Sequence, residues 1–328
     1  MTGSLPDKFG ELVDLKEVDI RYNTLSSIGV IARLPKVELI SADHNFVSVC
    51  RSEFRNVCVL RLRSNPVKNF EISTPVLTLT TLIMSNAMLD HIPNATFDKM
   101  PNLVKLVLDK NCFVSLPSNI GKLRKLEYFS ITRNTLSSLP AEIGCLTELR
   151  FLDIRQNNLK ELPIEIWWAN KLEHLNISSN MLAKFPKPAS RFPAVAGNIS
   201  SEPGTSNGSS GQNSNNSCSE EIGSLEASGQ LRPCQTPSAL LSVGGVPAPR
   251  DGDRNDSVVS VYGKEGRKTP VVSGSTVRKD SGILAKLINT FAGSLRNLSL
   301  ADNELDDDVF DEITRLLELQ VLNLSYNN

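Results

Sequence analysis

The sequence predicts an α/β leucine-rich-repeat solenoid, a horseshoe with parallel strands on its concave side, interrupted by a long disordered insertion. Leucine supplies 43 of the 328 residues, whereas aromatic residues make up only 5%. One leucine-rich pattern recurs every 20–24 residues through the first 186 residues. A stretch rich in Ser, Gly and Asn then separates these units from two more near the C-terminus. Regular repetition at this period is the signature of a repeat architecture.

Each unit follows the frame L-x-x-L-x-L-x-x-N-x-L, as in Leu149, Leu152, Ile154, Asn157 and Leu159. First positions are separated by 22, 20, 22, 24, 23, 23 and 23 residues, then by 123, then by 24. One unit cannot bury its leucines alone, so neighbouring units must stack. The frame predicts strands at 18–20, 40–42, 60–62, 82–84, 106–108, 129–131, 152–154 and 175–177.

The asparagine of each frame is predicted to turn inward and to hydrogen-bond backbone groups of the adjoining loop. Without it, those groups would be buried and unpaired, at a cost of roughly 1–3 kcal/mol each. One unit holds Ala87 at this place, with Asn86 one position early. This predicts a weak rung that is satisfied by Asn86, by water or not at all. The predicted ladder consists of Asn23, Asn45, Asn65, Asn111, Asn134, Asn157, Asn180, Asn303 and Asn327.

The second half of several units reads L-P-x-x-I-G-x-L. This predicts a short helix or 3₁₀ turn, opened by proline, on the convex side. In one unit Trp167 replaces the glycine and Ala169 replaces the last leucine. Trp167 and Trp168 could be an exposed anchor for a partner, or one indole could fill the volume that Ala169 leaves. We favour the second interpretation.

The composition predicts three regions. Residues 1–186 are a partial first unit plus eight leucine-rich repeats, 187–282 a disordered insertion, and 283–328 a helix plus two further repeats, the last one truncated. Between positions 198 and 219, sixteen residues are Ser, Gly or Asn, and such a segment cannot offset its ordering entropy by burying apolar surface. Arg-x-x-Ser spacing marks Ser257 and Ser281 as candidate phosphorylation sites. Both termini fall inside a repeat, so we expect a piece of a longer polypeptide.

Several function classes find no support in the sequence. A net charge of −1 argues against a nucleic-acid binder, and no apolar run reaches the ~18–20 residues of a membrane span. We find no P-loop, G-x-S-x-G or H-E-x-x-H motif, and therefore predict no catalytic residue, metal site, small-molecule substrate or cofactor for this stretch.

The six cysteines form no C-x-x-C pair, which favours reduced thiols in the cytoplasm. The acidic run around 306–308 is better assigned to a helix N-terminus than to a calcium loop, with an apolar helix face formed by Phe310, Ile313, Leu316 and Leu317.

What remains is a surface. The strands alternate, so Leu152 and Ile154 are predicted to point inward, and Phe151, Asp153 and Arg155 outward. Arginine and tyrosine, which are enriched at interfaces, recur at outward positions. The predicted partner-binding residues on this concave side are Arg21, Tyr22, Arg61, Arg63, Lys105, Tyr128, Arg133, Phe151, Arg155 and His174.

Three segments resemble the repeat region of fungal adenylate cyclases. One is Leu79-Thr-Thr-Leu-Ile-Met-Ser-Asn-Ala87-Met-Leu, with alanine on the ladder; the others, after the Ser-rich insertion, are Leu298-Ser-Leu-Ala-Asp-Asn303-Glu-Leu and Val321-Leu-Asn-Leu-Ser-Tyr-Asn327. The resemblance implies a regulatory, Ras-responsive segment of a cytoplasmic enzyme that converts ATP to cyclic AMP. It implies a Ras-type GTPase or similar protein partner, Mg²⁺ for a catalytic domain outside this stretch, and membrane contact only through the partner.

Two other classes fit the same repeats. One is a non-enzymatic Ras-pathway scaffold, and the other is the repeat region of a Mg-dependent protein phosphatase. The domain that follows the repeats would separate the three.

Overall fold

The protein is described by a computed structural model over residues 2–188 and 290–328. The predicted disordered insertion, the predicted helix at 283–288, Ser257 and Ser281 lie outside these residues. The strands are β1 (Thr2–Gly3), β2 (Glu17–Asp19), β3 (Thr24–Leu25), β4 (Leu39–Ser41), β5 (Val49–Ser52), β6 (Val59–Arg61), β7 (Asn69–Ile72), β8 (Thr81–Ile83), β9 (Lys105–Val107), β10 (Tyr128–Ser130), β11 (Phe151–Asp153), β12 (His174–Asn176), β13 (Asn297–Ser299) and β14 (Val321–Asn323).

Ten of these strands form one sheet in the order β2-β4-β6-β8-β9-β10-β11-β12-β13-β14, and every neighbouring pair is parallel. The predicted leucine-rich-repeat solenoid is thereby confirmed. Equivalent positions of successive units lie opposite each other, so that Tyr128 pairs with Phe151 and Phe151 with His174. Two small parallel sheets, β1 with β3 and β5 with β7, lie outside this sheet.

Each of the eight predicted strands is present but lies one residue earlier than predicted. For example, β11 spans Phe151–Asp153 rather than 152–154. The hydrogen-bonded ladder engages the residues on both sides of the inward Leu152, so the strand centres on that leucine. The inward side chains are fully buried, as the pattern predicts: Leu152 and Ile154 are both 0% exposed.

Short helices return the chain along the convex side. Proline occupies the N-cap of five of them, with φ and ψ in the extended range, at Pro6, Pro93, Pro117, Pro140 and Pro163. The helices are α1 (Gly29–Ala32), α2 (Asn94–Asp98) and α3 (Val309–Ile313), with 3₁₀ helices at Asp7–Glu11, Ser118–Lys122, Ala141–Cys145, Ile164–Trp168 and Phe291–Gly293. In the described residues, no helix has the length and apolarity needed to cross a bilayer.

The repeats on the two sides of the undescribed segment stack directly. Although 123 residues separate His174 from Asn297 in sequence, the two pair in adjacent strands. On the convex side Trp167 is 0% exposed and stacks on Phe291, with ring centroids 4.4 Å apart. Phe185 meets both rings edge-on, and the Trp167 indole Nε1 donates to the Pro186 carbonyl at 2.9 Å. Trp167 therefore fills the core at this junction, as the simpler interpretation predicted.

The acidic run precedes α3, with Asp308 at its N-cap, in agreement with the prediction of a helix start. Two of the predicted apolar-face residues are exposed, however: Phe310 is 49% and Leu317 47% exposed. The prediction of their burial was wrong for two reasons. Phe310 lies within α3, but the buried side of that helix begins one residue earlier, at Val309. Leu317 lies beyond the helix, which ends at Ile313, so the helical period does not extend to it. The buried side of this segment consists of Val309, Ile313 and Leu316 together with Glu312, which is 2% exposed.

Candidate protein-binding face

The concave face comprises, in each unit, the side chains of the first and third strand residues and of the two loop residues before the ladder position. In the unit of β11 these are Phe151, Asp153, Arg155 and Gln156. The second loop residue has a positive φ of 54–58° in all ten units of the sheet. Ordinary residues rarely adopt this conformation, so its recurrence shows that every unit has the same turn shape, including the unit with Ala87 at the ladder position, where Asn86 has a φ of 55°.

The ladder asparagines hold these turns from inside. Asn157 is typical: its Nδ2 donates to the Ile131, Ile154 and Arg155 carbonyls at 3.1, 2.9 and 3.3 Å, and its Oδ1 accepts from the Leu136 N–H at 3.1 Å. All nine ladder asparagines donate to the carbonyl three residues earlier, at distances of 2.9–3.2 Å. The backbone below the concave face is therefore fixed in each of these units.

The rung at Ala87 is rearranged. Asn86 does not replace the missing amide, because its Nδ2 donates to the exposed Ser64 hydroxyl at 3.1 Å. The Val67 N–H, which a ladder side chain would otherwise accept from, bonds the Asn65 carbonyl at 2.8 Å. Asn111 of the next unit accepts from the Ala87 N–H at 2.9 Å. Backbone adjustment and the next rung thus satisfy this unit.

A continuous stack of side chains runs along the first strand positions. The Lys105 Nζ lies 4.5 Å from the centroid of the Tyr128 ring. Tyr128 and Phe151 are stacked, 4.4 Å apart and 2° from parallel, and Phe151 meets His174 at 5.9 Å. The His174 Nδ1 then lies 2.8 Å from the Asn297 Nδ2. We call Lys105, Tyr128, Phe151 and His174 the aromatic stack.

Burial shifts the pKa of two members of the aromatic stack, Lys105 and Tyr128. Desolvation, with a smaller contribution from Arg61, lowers the pKa of the Lys105 ammonium. Desolvation also raises the pKa of the Tyr128 hydroxyl, with Asp109 and Asp153 adding to the effect. The stack is therefore a half-buried, preorganised surface of the kind that serves as an interface anchor.

A second aromatic pair lies near the N-terminal edge. Tyr22 is 74% exposed and stacks on His44, with centroids 4.5 Å apart. Beside it, Arg21 forms a two-pronged pair with Asp19, in which its Nε and Nη2 donate at 2.9 and 2.6 Å. The hydrogen bonds from Arg21 lower the pKa of Asp19 to about 2. Arg21 is thus already neutralised by its own strand.

Cations gather on the loops after β6 to β11. They line a cleft of about 450 Å³, which we call the cationic cleft. Asp109 is the one acidic residue in the lining of this cleft. Its Oδ1 accepts hydrogen bonds from the Ser130 hydroxyl and the Thr132 N–H, at 2.6 and 2.8 Å. The cleft is lined by Arg63, Ser64, Ser85, Asn86, Asp109, Lys110, Thr132, Arg133 and Arg155.

The predicted cations differ in their internal partners. Arg155 lies 3.4 Å from the Asp153 Oδ2, and Arg133 Nε donates to the Gln156 Oε1 at 2.6 Å. Arg61 lies beside a smaller cleft, and its Nε is buried without a hydrogen-bond partner. Burial raises the pKa of Asp153, although Arg155 opposes this.

The structure therefore brings the ten predicted partner-binding residues into three groups. Four form the aromatic stack, three (Arg63, Arg133 and Arg155) line the cationic cleft, and three (Arg21, Tyr22 and Arg61) line the smaller cleft of about 240 Å³ near the N-terminal edge. Sequence reasoning did not single out Ser85 or Asn297. Their types carried no signal, because serine and asparagine are ordinary residues on a solvated face.

The fold and a family comparison define the class. A family model described as leucine-rich repeat region matches residues 115–227, and the ten-stranded parallel sheet is that of a leucine-rich-repeat solenoid. More narrowly, the chain is similar to a stretch of the fungal adenylate cyclases. It is 50% identical to that of Podospora anserina over 345 aligned residues, which cover 100% of this chain and 16% of the relative. It is 48% identical to that of Neurospora crassa, over 99% of this chain and 15% of the relative.

The solved structures that align with this chain include leucine-rich-repeat proteins that are not adenylate cyclases. The Leptospira interrogans leucine-rich-repeat protein LIC12759 aligns with a TM-score of 0.43 at 24% identity, covering 56% of this chain and 54% of that one. The leucine-rich-repeat domain of APL1B aligns with a TM-score of 0.49 at 19% identity, covering 58% and 54%.

Proposed function

We propose that this chain is the protein-interaction segment of an adenylate cyclase and that its concave face binds a small GTPase of the Ras type. The aromatic stack is the observation that carries the proposal. Four neighbouring strands contribute to a surface that is organised before any partner arrives. A preorganised anchor loses little side-chain entropy on binding.

The size of the face supports a globular partner. Ten strands at ~4.8 Å give nine steps, or an arc of roughly 43 Å. A protein of about 170 residues has a radius of gyration near 15 Å, and is therefore about 40 Å across. Such a partner could contact the aromatic stack and the cationic cleft together.

The charge of the concave face predicts the charge of the surface that the partner presents to it. Arg133 and Arg155 belong to the same two repeat units as the centre of the aromatic stack. With Arg63 they line the cationic cleft, while the chain as a whole carries a net charge of −1. The face would therefore attract acidic groups on the partner. Exposed rim charges mainly change the association rate and its salt dependence, whereas buried aromatic anchors determine the dissociation rate.

The binding test compares two double variants in calorimetry against GTP-loaded Ras. Tyr128→Ala with Phe151→Ala removes the centre of the stack, and the loss of about 2 kcal/mol or more corresponds to at least ~30-fold weaker binding. Phe46→Ala with Val114→Ala is the matched control, because these side chains are 60% and 57% exposed but lie outside the concave face. Equal affinities for the two variants would place the GTPase site elsewhere.

The enzymatic part of the proposal concerns the longer protein. Its support is the likeness to adenylate cyclases, of which this chain spans 16% and 15%. Mg²⁺-dependent conversion of ATP to cyclic AMP would take place in a domain outside this chain. Measurement of cyclic AMP formation by the full-length protein, with and without GTP-loaded Ras, tests it. Absence of cyclase activity would favour the scaffold or phosphatase alternative.

A further inference from the structure

We propose that the cationic cleft is a binding site for phosphoryl groups. Four cations, Arg63, Lys110, Arg133 and Arg155, line it together with one carboxylate. The net charge of the lining is therefore +3, in a chain whose overall charge is −1. A cleft lined mainly by one sign of charge concentrates the electrostatic potential, so this one would attract an anion.

Several donors in the cleft are unused. Within the described residues, neither the Arg63 guanidinium nor the Lys110 ammonium makes a hydrogen bond or an ion pair. At the base of the cleft Ser85 is 4% exposed, and its buried hydroxyl has no hydrogen-bond partner. A buried, unpaired hydroxyl is costly unless a ligand completes it. The hydroxyl is closed to solvent in this structure, but the residue lines the cleft, so a small shift of its surroundings would let it donate to a ligand oxygen there.

The number of donors favours phosphoryl over carboxylate. A phosphate ester carries about −1.5 to −2 charges and three acceptor oxygens, whereas a carboxylate carries one charge on two oxygens. Two linked phosphoryl groups would match the +3 lining and would accept from Arg63, Lys110 and Ser85. Arginine binds phosphate through two parallel N–H donors. Asp109 retains its second carboxylate oxygen for a hydroxyl of the same ligand.

The loops hold these groups at fixed separations. Lys110, Arg133 and Arg155 belong to three consecutive units, and parallel strands lie ~4.8 Å apart. The backbones of Lys110 and Arg133 are locked by the repeated left-handed turn, with φ of 55° at both. The backbone positions from which the cations project are therefore fixed before a ligand binds.

The test is calorimetric titration of the whole chain with inorganic pyrophosphate, which contains two linked phosphoryl groups. Arg63→Gln with Lys110→Gln should weaken binding at least ~10-fold, because two charge-assisted donors are lost. Lys125→Gln with Lys160→Gln removes the same charge from exposed positions outside the cleft and should change affinity less than ~2-fold. Equal weakening by both double variants would mean diffuse attraction and would overturn the proposal.

Ser85→Ala separates a ligand contact from a structural role. Its hydroxyl has no partner in the folded chain, so the variant should keep or raise the thermal midpoint and still bind pyrophosphate more weakly. Unchanged affinity would remove Ser85 from the site. Succinate is the dicarboxylate control, and succinate binding as tight as that of pyrophosphate would overturn the choice of phosphoryl.

The source of the phosphoryl groups is resolved by competition. Displacement of pyrophosphate by a peptide with two phosphoserines, but not by its unphosphorylated form, would identify a phosphorylated protein segment. Retention of pyrophosphate against both peptides would identify a free phosphate ester. The inference does not rest on the GTPase proposal, because no GTPase is present and the aromatic stack is untouched. Failure to bind pyrophosphate at low salt would refute this site and leave the GTPase proposal standing.

Discussion

Removal of one ladder asparagine should destabilise the solenoid by a definite amount. In Asn157→Ala, the Ile131 and Ile154 carbonyls keep a second donor, because the asparagines of the neighbouring units also bond them at 3.2 Å. The Arg155 carbonyl still accepts a hydrogen bond from the Arg133 N–H of the preceding unit, at 3.1 Å. The Leu136 N–H, in contrast, loses its acceptor inside a buried turn.

The expected loss of unfolding free energy follows from that count. One orphaned buried N–H costs about 1–3 kcal/mol, so we expect about 2 kcal/mol rather than the sum of four lost bonds. The natural rung at Ala87 shows how part of this could be recovered, since its loop turns the Val67 N–H to the Asn65 carbonyl.

Urea unfolding followed by circular dichroism measures the effect. Asn158→Ala is the matched control, because it removes the same amide from an exposed position in the same loop and should stay within about 0.5 kcal/mol of the parent. Equal midpoints for the two variants would refute the ladder argument. A loss well above 3 kcal/mol would refute the claim that neighbouring asparagines back up the carbonyls.

Two further predictions concern the convex side and the N-terminal edge. Gly144→Ala should lower the free energy of unfolding by about 1–3 kcal/mol through overpacking, because an added Cβ would overlap the Glu165 backbone carbonyl. Gly10→Ala is the control, since the nearest atom to its added Cβ would be 3.9 Å away. Equal urea midpoints for the two variants would contradict this prediction. The pKa of Asp19 is lowered to about 2 from 3.8, chiefly by the side-chain hydrogen bonds from Arg21. The stabilisation from this pair should therefore be complete above about pH 4 and be lost as pH falls towards 2. In Arg21→Gln the NMR-titrated pKa should rise towards 3.8 without reaching it, because the backbone N–H of residue 21 still bonds Asp19; an unchanged value would show that the guanidinium is not the main cause.

Much of the fold could be predicted because a single period controls it. Once Leu152 and Ile154 are assigned inward, the face of every neighbouring residue follows from strand alternation. The stack of Tyr128 on Phe151 was implicit in the same register, because the two residues occupy equivalent positions of units 23 residues apart. The pattern does not show the strand ends, which depend on which backbone groups pair.

The charge state of the face was harder to predict. The repeat frame identifies an arginine that points outward, but the frame alone does not show whether a nearby acid already neutralises it. Arg21 and Arg155 both follow an aspartate by two residues, at Asp19 and Asp153, and both pair with it. That spacing was a readable signal. The unpaired Ser85 hydroxyl was not, because its environment depends on side chains from several units.

The register across the undescribed segment makes a last prediction possible. His174 and Asn297 are 123 residues apart but pair as if they were 23 apart, as Phe151 and His174 do. Deletion of residues 189–288 removes the excess 100 residues and restores an ordinary repeat length. Shortening a connection from about 100 residues to a few lowers the free-energy cost of closing it by roughly 2–3 kcal/mol. The unfolding midpoint should therefore be unchanged or higher. Fluorescence should report Trp167 still buried. Pyrophosphate affinity should equal that of the parent, because the cleft residues lie between Arg63 and Arg155, whereas the deletion joins positions 188 and 289. A lower midpoint with an exposed Trp167 would show that the deleted residues contribute to the core.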